Sequence, residues 1–297
     1  MFKSGFIGII GRPNVGKSTL LNAAIGEKIA IATHKPQTTR NRITGILNIE
    51  QGQLVFVDTP GIHKASTMLN QQMVATATDT FKNADILCLL MEADTGLQRD
   101  DRLIIDSLKQ TGLPIVLVIN KIDLIAKTKL LPLIDEMRQY YDFEAIIPIS
   151  ALTKDGISDF IGELWKLLPE GPPCFPEDMM TDRSERFIAS EIIRKQIIVL
   201  TRQEIPYATA VMVDAFKEIE AKNLIRIQAT IHVEKESQKG ILIGKKGAMM
   251  KRIGTQAREE MEAFFGAKVF LELFVRVQKD WTQDARMLSE FGYSGKT

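Results

Sequence analysis

The chain has 297 residues, enough for two domains, with 45% hydrophobic and 25% charged residues and a net charge of +1. Charge this balanced gives no bulk argument for a nucleic acid or a membrane surface as partner, and two cysteines exclude a disulfide framework. No apolar run approaches the length of a membrane span and the first is too short for a signal peptide, so a cytoplasmic protein is expected.

The first predicted element is a buried strand over 5–10, which breaks into Gly11, Arg12, Pro13, Asn14, Val15, Gly16, Lys17 and Ser18. A helix over 17–25, with Thr19 in its first turn, follows at once. Strand, glycine-rich turn and helix in this order form the context of a phosphate-binding P-loop. Gly11 and Gly16 let backbone N–H groups turn inward, and the helix N-terminus adds partial positive charge. Lys17 is then placed for the β- and γ-phosphates, and the Ser18 hydroxyl for Mg²⁺. Asn14 offers a carbonyl oxygen near the phosphates, or serves only to tolerate a turn conformation.

The polar stretch 34–41 reads as a switch loop, in which one threonine completes the Mg²⁺ shell when a γ-phosphate is present. Thr39 is favoured for this, although spacing alone does not separate it from Thr38. Strands are expected near 43–49 and over 53–58, the second ending in Asp58, Thr59, Pro60 and Gly61. An aspartate at that strand end can hold Mg²⁺ through water, and the Gly61 N–H can meet the γ-phosphate. Ile62 follows where Ras-like enzymes keep the glutamine that orients water, so intrinsic hydrolysis should be slow unless another group or a partner helps. His63 is adjacent, and a loop histidine is more often a bystander. The groups left to assist turnover are Lys17, Thr39, Gly61 and Asn14.

A strand over 86–91 contains Cys88, read as a small buried hydrophobe, and a helix over 99–111 follows. The next strand, 115–120, delivers Asn120, Lys121, Ile122 and Asp123. The Asp123 carboxylate can accept two hydrogen bonds from the N1 and N2 donors of guanine, while the Lys121 stem lies over the base. Adenine offers an acceptor at N1 and no N2 amine, and each unpaired buried polar group costs about 1–3 kcal/mol. A helix over 128–140 and a strand over 145–149 lead to Ser150, Ala151 and Leu152, where the Ala151 N–H is expected to reach guanine O6. A helix over 156–168 closes the series. The alternation predicts an α/β P-loop GTPase domain, a mostly parallel sheet with helices on both faces. Its motifs fall at carboxyl ends of strands, where open α/β sheets bind ligands, and the ligand set read from them is GTP or GDP with Mg²⁺.

Four prolines and a glycine between Pro169 and Pro176 read as a stiff connector. The predicted organisation is a GTPase domain over 1–170, a proline-rich linker over 171–180 and a second domain over 181–297. In that second domain a helix over 183–203 precedes two alternating strands, Ala208 to Phe216 and Ile225 to Val233. Two helices then flank Ile243, Gly244, Lys245, Lys246 and Gly247, and a strand over 269–277 ends the pattern. The order α-β-β-α-α-β with Gly-x-x-Gly between the later helices fits an α+β KH domain of the second type. From Gln238 to Arg258 there are six basic residues, Lys251 and Arg252 among them, and no acidic one. Gly244 and Gly247 let a phosphodiester approach, Lys245 and Lys246 add charge, and Ile241, Ile243 and Ile253 are expected to floor unstacked bases. Few aromatics are placed to stack bases.

Taken together, Gly11 to Ser18, Gln37 to Arg40, Asp58 to Gly61, Asn120 to Asp123, Ser150 to Leu152, Phe175 to Asp178 and Ile243 to Gly247 resemble the bacterial Era family over essentially the whole chain. The resemblance implies a GTPase that binds the 3′ end of 16S rRNA and assists late assembly of the 30S subunit, with no DNA partner. It also implies that Ile62 is usual for the family, and that peripheral contact with the inner membrane is open to some members. In potassium-dependent relatives of the wider class, the asparagine equivalent to Asn14 ligates a monovalent cation, so K⁺ is a further candidate cofactor. The competing reading is a GTPase of membrane or cell-cycle signalling whose second domain is a protein-interaction module.

Overall fold

The computed structural model describes residues 1–61 and 67–293. The chain divides into two compact units, 1–61 with 73–182 and 67–72 with 183–293 among the described residues. In chain order the first contains β1 (Lys3–Gly11), α1 (Lys17–Ile25), β2 (Ile43–Ile49), β3 (Gly52–Asp58) and, from residue 73 on, α2 (Met68–Lys82). It continues with β4 (Ile86–Glu92), α3 (Arg99–Leu108), β5 (Ile115–Asn120), α4 (Lys127–Tyr140), β6 (Ala145–Pro148) and α5 (Ile157–Leu167).

The strands form one sheet in the order β2-β3-β1-β4-β5-β6, parallel throughout except for the antiparallel pair β2–β3. Continuous apolar runs become central parallel strands because helices cover both faces and leave no polar side. β5 is buried at every position, and β4 at every position before Glu92. A side chain such as Leu117, with no exposure, contributes about 1.5–3 kcal/mol through burial. Cys88 lies in the same interior, where burial pushes its thiol pKa upward, as its reading as a hydrophobe requires.

α2 is an element that the sequence pattern did not announce. Its buried positions Leu69, Met73, Ala77 and Thr80 keep helical spacing, but threonines and glutamines between them blur the periodicity.

The proline-rich stretch, expected to be a stiff connector, is hydrogen-bonded to the first unit. Gly171 N–H donates to the Phe2 carbonyl at 3.2 Å, and the Ser4 hydroxyl to the Pro172 carbonyl at 2.5 Å. The Gln53 amide oxygen accepts from Cys174 and Phe175 N–H at 2.7 and 2.9 Å, while its nitrogen donates to the Phe175 carbonyl at 2.9 Å. Farther along, Ile46 N–H donates to the Met180 carbonyl at 2.9 Å and Thr44 Oγ1 to Asp182 at 3.0 Å. Residues 171–182 thus lie along the β2–β3 side of the sheet and satisfy its backbone and amide groups, which moves the break to Asp182.

The second unit contains α6 (Glu185–Leu200), β7 (Thr209–Ile219), β8 (Leu224–Val233), α7 (Glu236–Ile243), α8 (Ala248–Phe265), β9 (Lys268–Val277) and α9 (Ala285–Glu290). Its sheet runs β7-β8-β9, with β7–β8 antiparallel and β8–β9 parallel, so β9 is an edge strand. The alternating set Ile225, Ile227, Ala229, Ile231 and Val233 faces a core shared with Ile193, Ile197, Ile253 and Met261. After β9 the chain folds back, with the Trp281 indole donating to the Ala208 carbonyl at 3.1 Å and its ring stacked on Tyr293 at 5.8 Å. Among the described residues, no helix is long and apolar enough to cross a membrane.

Candidate functional site

The P-loop leaves β1 at Gly11 and closes on α1. Gly16 has φ +104°, and a Cβ there would sit 2.2 Å from the Asn120 amide nitrogen, so only glycine fits. Asn120 explains that closeness. Its Nδ2 donates to the Val15 carbonyl at 2.8 Å and its Oδ1 accepts the Ala151 N–H at 3.0 Å. One buried side chain therefore ties the P-loop to the loop of Ser150, Ala151 and Leu152. The Ala151 N–H, the group expected to reach guanine O6, donates to the oxygen of the Asn120 amide, which spans both loops.

Lys17 is buried, and its Nζ donates to the carbonyls of Gly11 and Arg12 at 3.0 and 2.9 Å. Burial lowers its pKa to about 8, against a smaller upward pull from Asp58. Asp58 has no exposure, and burial raises its pKa to about 6 despite Lys17, Ser18 and Thr39 nearby. Ser18 Oγ donates to Asp58 Oδ2 at 2.6 Å, and the Ser18 and Thr39 hydroxyls are 2.7 Å apart. Thr39 reaches the same carboxylate oxygen at 3.5 Å, while Asp58 Oδ1 is buried without a hydrogen-bond partner. Three hard oxygen donors and an orphaned carboxylate oxygen form a cluster that fits Mg²⁺. Thr38 turns elsewhere, donating to the Lys35 carbonyl at 2.7 Å and meeting Thr33 Oγ1 at 2.6 Å.

The remaining loop residues gather around this cluster. Thr59 donates to the Ile9 carbonyl at 2.9 Å, fixing the Asp58–Gly61 turn to β1. A Cβ on Gly61 would come within 2.9 Å of Pro13, so that turn is held against the P-loop. Asn14 has φ +67°, and its Nδ2 donates to the His34 carbonyl at 3.1 Å, linking the P-loop to the switch loop. Lys121, at φ +65°, pairs with Glu92. Asp123 is exposed on a single 3₁₀ turn, Ile122–Leu124. Arg12 points away from the phosphate cradle toward Asp101 and Thr95. Ile62 and His63 lie outside the described residues.

In the second unit α7 ends at Gly244, where φ +70° and a Cβ only 2.8 Å from Met249 Cβ demand glycine. The 3₁₀ turn Lys245–Gly247 then enters α8, with Lys245, Lys246, Lys251 and Arg252 exposed. A groove of about 580 Å³ opens beside the turn, lined by Ile243, Gly247, Met250, Lys251, Arg258 and Phe274 among others. Ile241 and Ile243 are exposed, but Ile253 has no exposure and belongs to the core, so it cannot floor bases. Phe274, 54% exposed, supplies an aromatic wall to a groove expected to hold few aromatics. Alternation along β9 was legible in the sequence. Its edge position, which brings both parities of side chain to the groove, was not.

A P-loop nucleoside-triphosphatase unit followed by a KH-type unit is the class these two architectures define. The model of the 50S ribosome-binding GTPase family matches residues 6–121, and that of the KH domain matches residues 204–282. GTPase Era of Syntrophus aciditrophicus is 66% identical over 99% of this chain and 96% of its own length. GTPase Era of Geobacter metallireducens is 54% identical over 99% of this chain and 98% of its own. Two solved Era structures, each 40% identical, superpose with a TM-score of 0.96, covering 99% of this chain and all of theirs. One is a variant of Aquifex aeolicus Era bound to GDP and AlF₄⁻, and the other is Era with MgGDPNP and nucleotides 1506–1542 of 16S ribosomal RNA. The chain belongs to the Era family of GTPases. It hydrolyses GTP, and its second unit is a KH domain.

Proposed function

We propose that this GTPase binds the 3′ end of 16S rRNA through the groove beside Gly244–Gly247 and assists late assembly of the 30S subunit, under control of the bound nucleotide. The observation that carries the reading is the basic, glycine-gated groove in the same chain as the P-loop cluster, in a protein 40% identical to an Era solved with that RNA. A KH groove recognises single strands, with the glycine turn clamping backbone and apolar walls receiving bases. Lys245, Lys246, Lys251 and Arg252 would contact phosphates, and Ile243, Met250 and Phe274 would face the bases.

In the first unit, Ser18, Thr39 and Asp58 would hold Mg²⁺, which when bound supplies positive charge to the phosphates. Lys17 would exchange its two carbonyl partners for phosphate oxygens, and Gly61 would offer its N–H to the γ-phosphate. Asp123 would read the N1 and N2 donors of guanine from its exposed turn. Thr39 is five residues from the β2 position Thr44, so a nucleotide that orders Thr39 also orders the chain entering β2. Asn14 retains a free carbonyl lone pair suited to K⁺, the candidate substitute for a catalytic arginine.

The test is an anisotropy titration of the full chain with an RNA of the 16S 3′-end sequence, in a GTP analogue and in GDP. Affinity should depend on the nucleotide. Gly247→Asp, which sets a carboxylate where a phosphate must lie, should abolish RNA binding while GTP binding persists. Wild-type RNA affinity in a folded Gly247→Asp protein would remove the groove from the reading and favour a protein-interaction role for the second unit.

A further inference from the structure

Arg12 is the second residue of the P-loop, yet its guanidinium is turned away from the phosphate cradle. Its Nε donates to Asp101 Oδ1 at 2.8 Å and an Nη to Thr95 Oγ1 at 3.3 Å. Asp101 lies in the first turn of α3 and has no exposure at all. Its second oxygen accepts the Gln98 N–H at 3.0 Å, closing a capping box on that helix. Burying a carboxylate to this degree is costly unless its oxygens are bonded, and here one serves the helix while the other serves the P-loop. The link continues through the main chain. The Arg12 carbonyl accepts the Lys17 ammonium at 2.9 Å, beside the Gly11 carbonyl at 3.0 Å.

We propose that Asp101 is a positioning residue for nucleotide binding, fixing the Arg12 peptide through its guanidinium and thereby the perch from which Lys17 meets the phosphates. α3 becomes a rigid brace for the P-loop, and Arg12 is withheld from the phosphates rather than offered to them. If Asp101 only capped α3, its loss would lower the melting temperature, and removal of the Arg12 side chain would leave nucleotide affinity alone.

The experiment compares Arg12→Ala, Asp101→Asn and the double variant of the full chain, by titration with a fluorescent GDP analogue, by GTP turnover and by thermal melts. Each single substitution should weaken GDP about 5- to 30-fold, within the range of a coupled buried charge pair. The double variant should bind no more weakly than the worse single, because both remove the same brace. Preference for GTP over XTP should stay constant, since the base loops are untouched. Arg12→Lys, which keeps a charge within reach of Asp101, should recover most of the affinity. Wild-type affinity in folded Arg12→Ala, or losses that multiply in the double variant, would overturn the proposal. Because the Arg12 side chain is 17% exposed, Arg12→Ala keeps the test open if Asp101→Asn fails to fold.

Discussion

Replacing Asp58 by asparagine should make the nucleotide-free protein more stable while crippling its binding of Mg²⁺–GTP. The carboxylate is fully buried, with one oxygen unpartnered, and its pKa rises from an ordinary 3.8 to about 6. A raised folded-state pKa means that the native chain holds its proton more tightly than the unfolded one, so stability is lost as pH rises from 3.8 through 6. Linkage makes the loss about 1 kcal/mol at pH 4.5 and about 3 kcal/mol by pH 7, each pKa unit counting about 1.4 kcal/mol. Asparagine carries no charge to desolvate and still accepts from Ser18, so it should recover much of this difference. The figure is a ceiling, because Lys17 then loses the carboxylate that holds its own pKa up. For a unit of this size about 3 kcal/mol corresponds to a melting shift of roughly 6–12 °C. The assay is thermal unfolding of nucleotide-stripped protein in EDTA from pH 5 to 8, following the first unit. The gap between variant and wild type should widen with pH, and adding Mg²⁺–GTP should stabilise only the wild type. A variant less stable than wild type across that range, or a gap independent of pH, would refute the burial argument.

Asp123→Asn should lower affinity for GTP and raise it for XTP, because an amide matches the xanthine edge better; competition binding with both nucleotides checks this. Turnover should be faster in KCl than in NaCl at equal ionic strength, and Asn14→Ala should abolish the difference in a phosphate-release assay. Gln53→Ala should strip three hydrogen bonds from Cys174 and Phe175, costing about 1–3 kcal/mol of the first unit's stability in urea unfolding. It should also hasten proteolysis within 171–182.

Local chemistry made much of this protein legible from sequence. Gly11 to Ser18, Asp58 to Gly61 and Asn120 to Asp123 stand at strand ends because a parallel α/β sheet gathers its loops on one side, and apolar runs such as 115–119 identify those strands by burial alone. Gly-x-x-Gly between two helices, within the order α-β-β-α-α-β, likewise pointed to the second fold, and Gly244 is needed there because a Cβ would lie 2.8 Å from Met249 Cβ. What those residues do to one another depended on distance across the fold. Thr38 and Thr39 are neighbours in sequence, and only the packing of the switch loop sends one hydroxyl to Ser18 and the other to Lys35. Ala151 N–H is claimed by an asparagine 31 positions earlier, and Arg12 by an aspartate 89 positions later. The prolines of 169–176 signalled a stiff segment but not the Gln53 amide that holds it to the sheet. Spacing along a chain reports local conformation and burial pattern, whereas a hydrogen bond between distant residues exists only once tertiary packing has brought donor and acceptor within 3 Å.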